Sequence, residues 1–94
     1  MILVSGRIYV RPGTREEFLP LSGGAVVQAR RSSGCRDFVV AADPIEADRV
    51  NVHEEWESEE ALRAFRGEGP DQALSSRIVR AHVAKHLVSV SEPA

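Results

Sequence analysis

The chain has 94 residues, 43% of them apolar, and a net charge of -2, which fits one soluble globular domain and excludes a disordered polyelectrolyte. Its basic residues, eleven Arg and one Lys, are scattered rather than clustered, which argues against nucleic acid as a partner. No apolar run approaches the roughly 18 residues that span a bilayer, Met1-Ile2-Leu3-Val4 is too short for a signal peptide, and the single Cys35 excludes an internal disulfide or a cysteine metal framework, so a cytoplasmic protein without membrane contact is expected.

Residues Ile2 to Val10 alternate as a strand, with Ile2, Val4, Ile8 and Val10 on one face and Leu3, Ser5, Arg7 and Tyr9 on the other. Arg11-Pro12-Gly13 closes it. Thr14-Arg15-Glu16-Glu17 has the spacing of a capping box with Thr14 as N-cap, and the helix it opens is expected to run to about Arg31. Pro20 lies past the first turn, where it removes a backbone hydrogen bond, and Gly23-Gly24 follows. A kink or break near residues 20 to 24 is therefore expected. Ser32-Ser33-Gly34 stops the helix.

Cys35 to Ala42 reads as a second strand, with Phe38 and Val40 opposite Asp37 and Val39. Asp43-Pro44 begins a short connection, and Arg49 to Trp56 is a third strand, so the two form a hairpin. Ser58 caps a short helix with Glu59 and Glu60 in its first turn and Ala61, Leu62 and Phe65 as its apolar stripe; Gly67 ends it. Gly69-Pro70-Asp71 opens a further helical turn or two, with Leu74, Ile78 and Ala81 continuing the stripe. His82 to Val90 is the fourth strand, with His86, Val88 and Val90 opposite Lys85, Leu87 and Ser89.

Strand, helix, strand, strand, helix, strand is the split βαβ order of a ferredoxin-like α+β fold, with both helices on one face of a four-stranded antiparallel sheet. A single domain spans residues 1–94. The face away from the helices would carry Leu3, Tyr9, Val39 and Leu87, an apolar area that a second copy could cover, so a homodimer is expected.

The third strand is where chemistry is expected first. Val50, Val52, Glu54 and Trp56 share one of its faces and Asn51, His53 and Glu55 the other. A carboxylate and an indole then sit among apolar groups, and a carboxylate there needs a partner or a purpose. Glu54 is either an ion-pair partner of Arg63 or Arg7, or a desolvated base of raised pKa. Trp56 is either core packing or a platform for an aromatic ligand. His53 falls on the seam face. His82 and His86 stand about 13 Å apart on a strand, too far to share a metal.

The blocks GRIYVRPG, GCRDFVVAADP and EEWESEEALRAF, in that order and spacing, resemble the antibiotic biosynthesis monooxygenase family over nearly the whole chain. The resemblance implies a dimeric α/β barrel with a pocket between sheet and helices, and in characterised members oxidation of hydroquinones or aromatic polyketides without metal or flavin. Trp56 matches the family tryptophan that helps hold an aromatic substrate, and Phe38, Val52 and Phe65 would line the pocket. Polyketide-oxidising members carry an Asn four residues before that tryptophan; this chain has Val52. Haem-degrading members carry an Asn before an Arg-aliphatic pair on the first strand, and a His soon after the following helix. Here Gly6 precedes Arg7-Ile8, and Arg66 to Asp71 holds no His.

The resemblance thus implies a monooxygenase that needs no cofactor and uses O2 on a small quinol-like or polycyclic aromatic substrate. The chemistry of the residues themselves assigns the catalytic roles to Glu54, as a desolvated base, and Trp56, as the group that positions the ring. The alternative is a non-catalytic dimer that binds a small apolar ligand. Haem degradation is disfavoured.

Overall fold

Alternating apolar residues drive four strands together in the computed structural model, which describes residues 1–67 and 72–94. The elements are β1 (Ile2–Val10), α1 (Arg15–Arg30), β2 (Cys35–Ala42), β3 (Arg49–Trp56), α2 (Glu59–Arg66), α3 (Gln72–Ser75) and β4 (Ile78–Leu87). The sheet order is β2-β3-β1-β4, and every neighbouring pair is antiparallel. This is the ferredoxin-like α+β arrangement, with β1 and β3 in the centre.

One sheet face is buried under the helices. Ile2, Val4, Ile8 and Val10 of β1 and Val50 and Trp56 of β3 point into it. They form two clusters, one of Ile2, Val4, Ala29, Phe38, Trp56 and Leu62, the other of Ile8, Val10, Phe18 and Val50. Between Val4 and Ile8 the inward position of β1 is Gly6, which has no side chain. The row that crosses the sheet there, Gly6 with Val52 and Val52 with Val40, separates the two clusters.

Helix α1 does not break. It continues through Pro20 and Gly23-Gly24, against the expected interruption. Its buried residues Phe18, Ser22 and Ala29 lie on both sides of that segment, so packing against the sheet holds both halves in one helix and overrides local propensity. Pro20 is exposed, and a Cβ on Gly23 or Gly24 would meet nothing within 4 Å. The capping box is also absent. Thr14 donates its hydroxyl to the Arg11 carbonyl at 2.7 Å and caps no helical N–H.

The C-terminal part is a second correction. Ile78 and Ala81 belong to β4 rather than to a helix, and β4 ends at Leu87 rather than Val90. Its pairing with β1 runs from Ile2 opposite Leu87 to Val10 opposite Ile78. The register is templated by the full length of β1, which a nearly all-exposed edge strand could not reveal by its own pattern. That register sets Leu87 beside Ile2 on the helix side, not on the outer face with Leu3, Tyr9 and Val39. The expected helical start at Gly69-Pro70-Asp71 lies outside the described residues.

Elsewhere the elements are as expected. Ser58 caps α2 by accepting from the Ala61 N–H at 3.1 Å, and Gly67 ends it at a φ of 53°. The β2–β3 hairpin is fixed by Asp43, whose carboxylate accepts the Ile45 and Glu46 N–H groups and the Asn51 amide. These bonds, the Glu46 N–H first, hold the Asp43 carboxyl down to about 2. Arg15 ties α1 to the same hairpin by donating to the carbonyls of Asp43, Glu46 and Arg49.

Gly6 is the tightest point of the sheet. A Cβ there would stand 2.0 Å from the His82 carbonyl oxygen and 2.7 Å from the Val83 Cα, at a φ of +155°. Gly6→Ala should therefore cost about 2–4 kcal/mol, because backbone on the neighbouring strand must move. Gly23→Ala, in open space within a helix, should instead stabilise by about 0.5–1 kcal/mol. Urea denaturation followed by circular dichroism reads both, and equal effects would refute the close approach at Gly6.

Candidate active site

Strand alternation carries Val52, Glu54 and Trp56 of β3 to the helix side of the sheet, and β2 brings Phe38 opposite Glu54 and Val40 opposite Val52. Above that row lies a cavity of about 820 Å³. Phe38, Val40, Val52 and Glu54 form its floor. Phe18, Leu21 and Ser22 of α1 wall one side, and Phe65 and Arg66 of α2 the other. Leu74 and Ile78 close the end near β4. The cavity thus opens over the β2 and β3 part of the sheet, between it and the helices. A second depression of about 640 Å³ lies on the outside of α1 around Val27 and Arg31 and includes no sheet residue. Only the first is lined by Glu54, Phe38 and Phe65.

Glu54 is 9% exposed, yet its carboxylate is partnered. It accepts a 2.9 Å hydrogen bond from the Trp56 indole, Nε1 to Oε1. Burial pushes the Glu54 carboxyl up from its ordinary value, while the indole bond, the Arg66 guanidinium and His53 pull it down. Desolvation wins, because a carboxylate over apolar walls loses more hydration than one neutral donor returns. The result is a group that holds its proton more tightly than a surface glutamate and still reaches the cavity. Its expected partners are engaged elsewhere. Arg63 pairs with Glu59 at 3.3 Å, and Arg7 stands on the outer face between Asn51 and His82.

Trp56 does not line the cavity. It is fully buried, with Phe38 in an edge contact at 6.4 Å and Phe65 tilted over it at 5.3 Å. Phe38 and Phe65 meet each other at 5.5 Å and present their other surfaces to the cavity. Trp56 thus reaches the cavity only through Glu54, whose carboxylate it orients. Phe38, Val52, Glu54 and Phe65 all line the space; Trp56 supports it from behind.

The polar residues of β3 that alternate outward serve other ends. Asn51 bonds Asp43 and accepts from Arg49 at 2.7 Å. The His53 Nε2 lies 3.2 Å from Glu55. Together with Asp37 these form the one group of three metal-ligating side chains among the described residues, their atoms within 4.8 Å of one another, on the face away from the cavity. His82 and His86 also face outward, opposite Arg7 and Leu3. Arg66 is the cavity residue that sequence reasoning passed over. Its position directly after Phe65 on the apolar stripe of α2 was the available signal.

Comparison with known proteins places this geometry. None of the curated proteins matches the chain in sequence. A conserved protein of Methanosarcina mazei Go1 superposes with a TM-score of 0.78 at 21% identity, covering 90% of this chain and 89% of that one. A candidate antibiotic biosynthesis monooxygenase of Deinococcus radiodurans gives 0.81 at 11% identity over 100% and 98%. The Rv0793 protein of Mycobacterium tuberculosis gives 0.76 at 20% identity over 99% and 98%. At these identities the likeness is one of fold. The family model of antibiotic biosynthesis monooxygenases matches residues 1–74, from β1 through the cavity-lining part of α3. The chain belongs to the antibiotic biosynthesis monooxygenase family.

Proposed function

We propose that the protein is a monooxygenase that oxidises a small quinol-like or polycyclic hydroxyaromatic with O2 in the Glu54 cavity, without metal or flavin. The observation that supports it is one buried, hydrogen-bonded carboxylate of raised pKa on the floor of an otherwise largely apolar cavity. An apolar space of this size accepts two or three fused rings. Glu54, once ionised, takes the proton of the substrate hydroxyl, and the anion left behind gives up an electron to O2 far more readily than the neutral ring. Two hydrogens leave the substrate, one oxygen atom enters it, and the other departs as water. The substrate thus supplies all four electrons that O2 takes up, and no external reductant is required.

Trp56 fixes the carboxylate so that its free lone pairs face the cavity. Phe38 and Phe65 orient the ring system. Haem degradation has no support here, since the pairing of β1 with β4 leaves no room for a side chain at Gly6. The outer face, with Leu3, Tyr9 and Val39 half-buried, suits a cytoplasmic homodimer whose copies stack through it. Among the described residues no helix is long and apolar enough to cross a membrane. The burial of Trp56 favours one competing reading, a dimer that binds an apolar ligand in the cavity and transforms nothing.

Oxygen uptake on an electrode, with EDTA present, across hydroquinones and anthrones separates the two. Uptake above autoxidation is expected, with Glu54→Gln lowering it by about 10²-fold or more. Full activity in that variant would remove Glu54 as the base, and uptake equal to autoxidation across the panel would leave the binding reading.

The pH profile should rise through a pKa above the ordinary glutamate value, because the base works only when ionised. Trp56→Phe removes a bond that stabilises the carboxylate, so the rising limb should move to higher pH; a limb that stays in place would show that the indole does not act on Glu54.

Stability gives an independent check. The folded state binds the Glu54 proton more tightly than the unfolded chain, so this contribution is present below the ordinary pKa and lost as pH rises through the raised one. Glu54→Gln should flatten that part of the stability profile above the ordinary glutamate pKa. An unchanged profile would mean that Glu54 is not desolvated.

A further inference from the structure

Two charged residues are found among those that line the cavity, and they sit at different depths. Glu54 is buried in the floor; Arg66 is exposed, at the end of α2 beside Phe65. The neighbouring Arg63 and Lys85 both pair with Glu59. Arg66 enters none of the ion pairs among the described residues. Its guanidinium nevertheless acts on Glu54, holding that carboxyl lower than burial alone would. An arginine at the mouth of an apolar space is a strong donor to an oxyanion, because its planar fork matches a carboxylate and is weakly hydrated.

We propose, resting on the reading of this cavity as the substrate site, that it selects flat aromatic molecules carrying one anionic oxygen substituent, with the anion set against Arg66. The rings lie over Phe38, Phe65 and Val52, and a hydroxyl at the deep end meets Glu54. The two charges then divide the work: Arg66 recognises the molecule, Glu54 handles its proton. While Glu54 is protonated the lining carries one net positive charge, which an anionic ligand complements. When Glu54 ionises the lining is neutral overall, and the same ligand is held less well. Binding of the anion and proton uptake by Glu54 therefore reinforce each other.

The test compares 2-naphthoate with 2-naphthamide, which share a shape and differ in charge, by titration calorimetry on the wild-type protein, Arg66→Gln and Arg66→Lys. The carboxylate should bind about tenfold tighter than the amide to the wild type. Arg66→Gln should bring that ratio close to one while leaving amide affinity unchanged, and Arg66→Lys should keep part of the preference. Arg66 is exposed, so its variants should melt with the wild type, and a melting curve verifies this. Equal binding of the two probes to the wild type would overturn the charge selection and leave the cavity as a binding site. A preference that survives Arg66→Gln would overturn the assignment to Arg66. Failure of both probes to bind would remove the reading of the cavity as a substrate site, and the proposal with it.

Discussion

The hydrogen bond from the Trp56 indole to Glu54 joins the packed core of this protein to its cavity. Trp56 is the largest side chain in the core, and its N–H, buried without an acceptor, would cost about 1–3 kcal/mol. Glu54, buried without a donor, would cost more. Two residues apart on one strand face, they satisfy each other at 2.9 Å. The core thus fixes the geometry of a carboxylate that lines the cavity. The same bond limits how far desolvation raises the Glu54 pKa, so it tunes the group as well as holding it.

The pairing of β1 with β4 imposes a tight packing constraint on the sheet. β1 must approach β4 closely enough to pair along its whole length, and at Gly6 that approach leaves no room for a Cβ. The same residue lies in the inward row between the two apolar clusters. A side chain there would collide with the β4 backbone and disrupt the sheet.

The two faces of the sheet divide the polar residues. On the outer face a network of Asp43, Arg49 and Asn51 and the ion pair of His53 with Glu55 hold the hairpin and the edge. On the inner face the polar groups are few and each is directed: Glu54 to Trp56, Ser22 to the Leu19 carbonyl at 2.8 Å. Asn51 shows how sharp the division is. One residue from Val52 in sequence, it is on the other side of the sheet, and no rotamer brings it to the cavity.

The sequence by itself determined the order of elements, the ferredoxin-like class and the inward face of β3, since strand alternation and cap signals are local. Strand parity put Glu54 among apolar groups, and the family resemblance pointed to Phe38, Val52 and Phe65 as lining residues. What only the tertiary structure decided involves partners far apart in the chain. Burial on the sheet carried α1 through Pro20 and the glycine pair. The length of β1 set the limits of β4 and placed Leu87, still exposed, on the helix side of the sheet. Packing by Phe38 and Phe65 sealed Trp56 away from the cavity and gave Glu54 its partner, where sequence spacing had suggested an arginine. Arg66 entered the site for the same reason: which side chain overhangs a cavity depends on how a helix docks, and a helix's own sequence fixes its stripe but not the edge of that stripe.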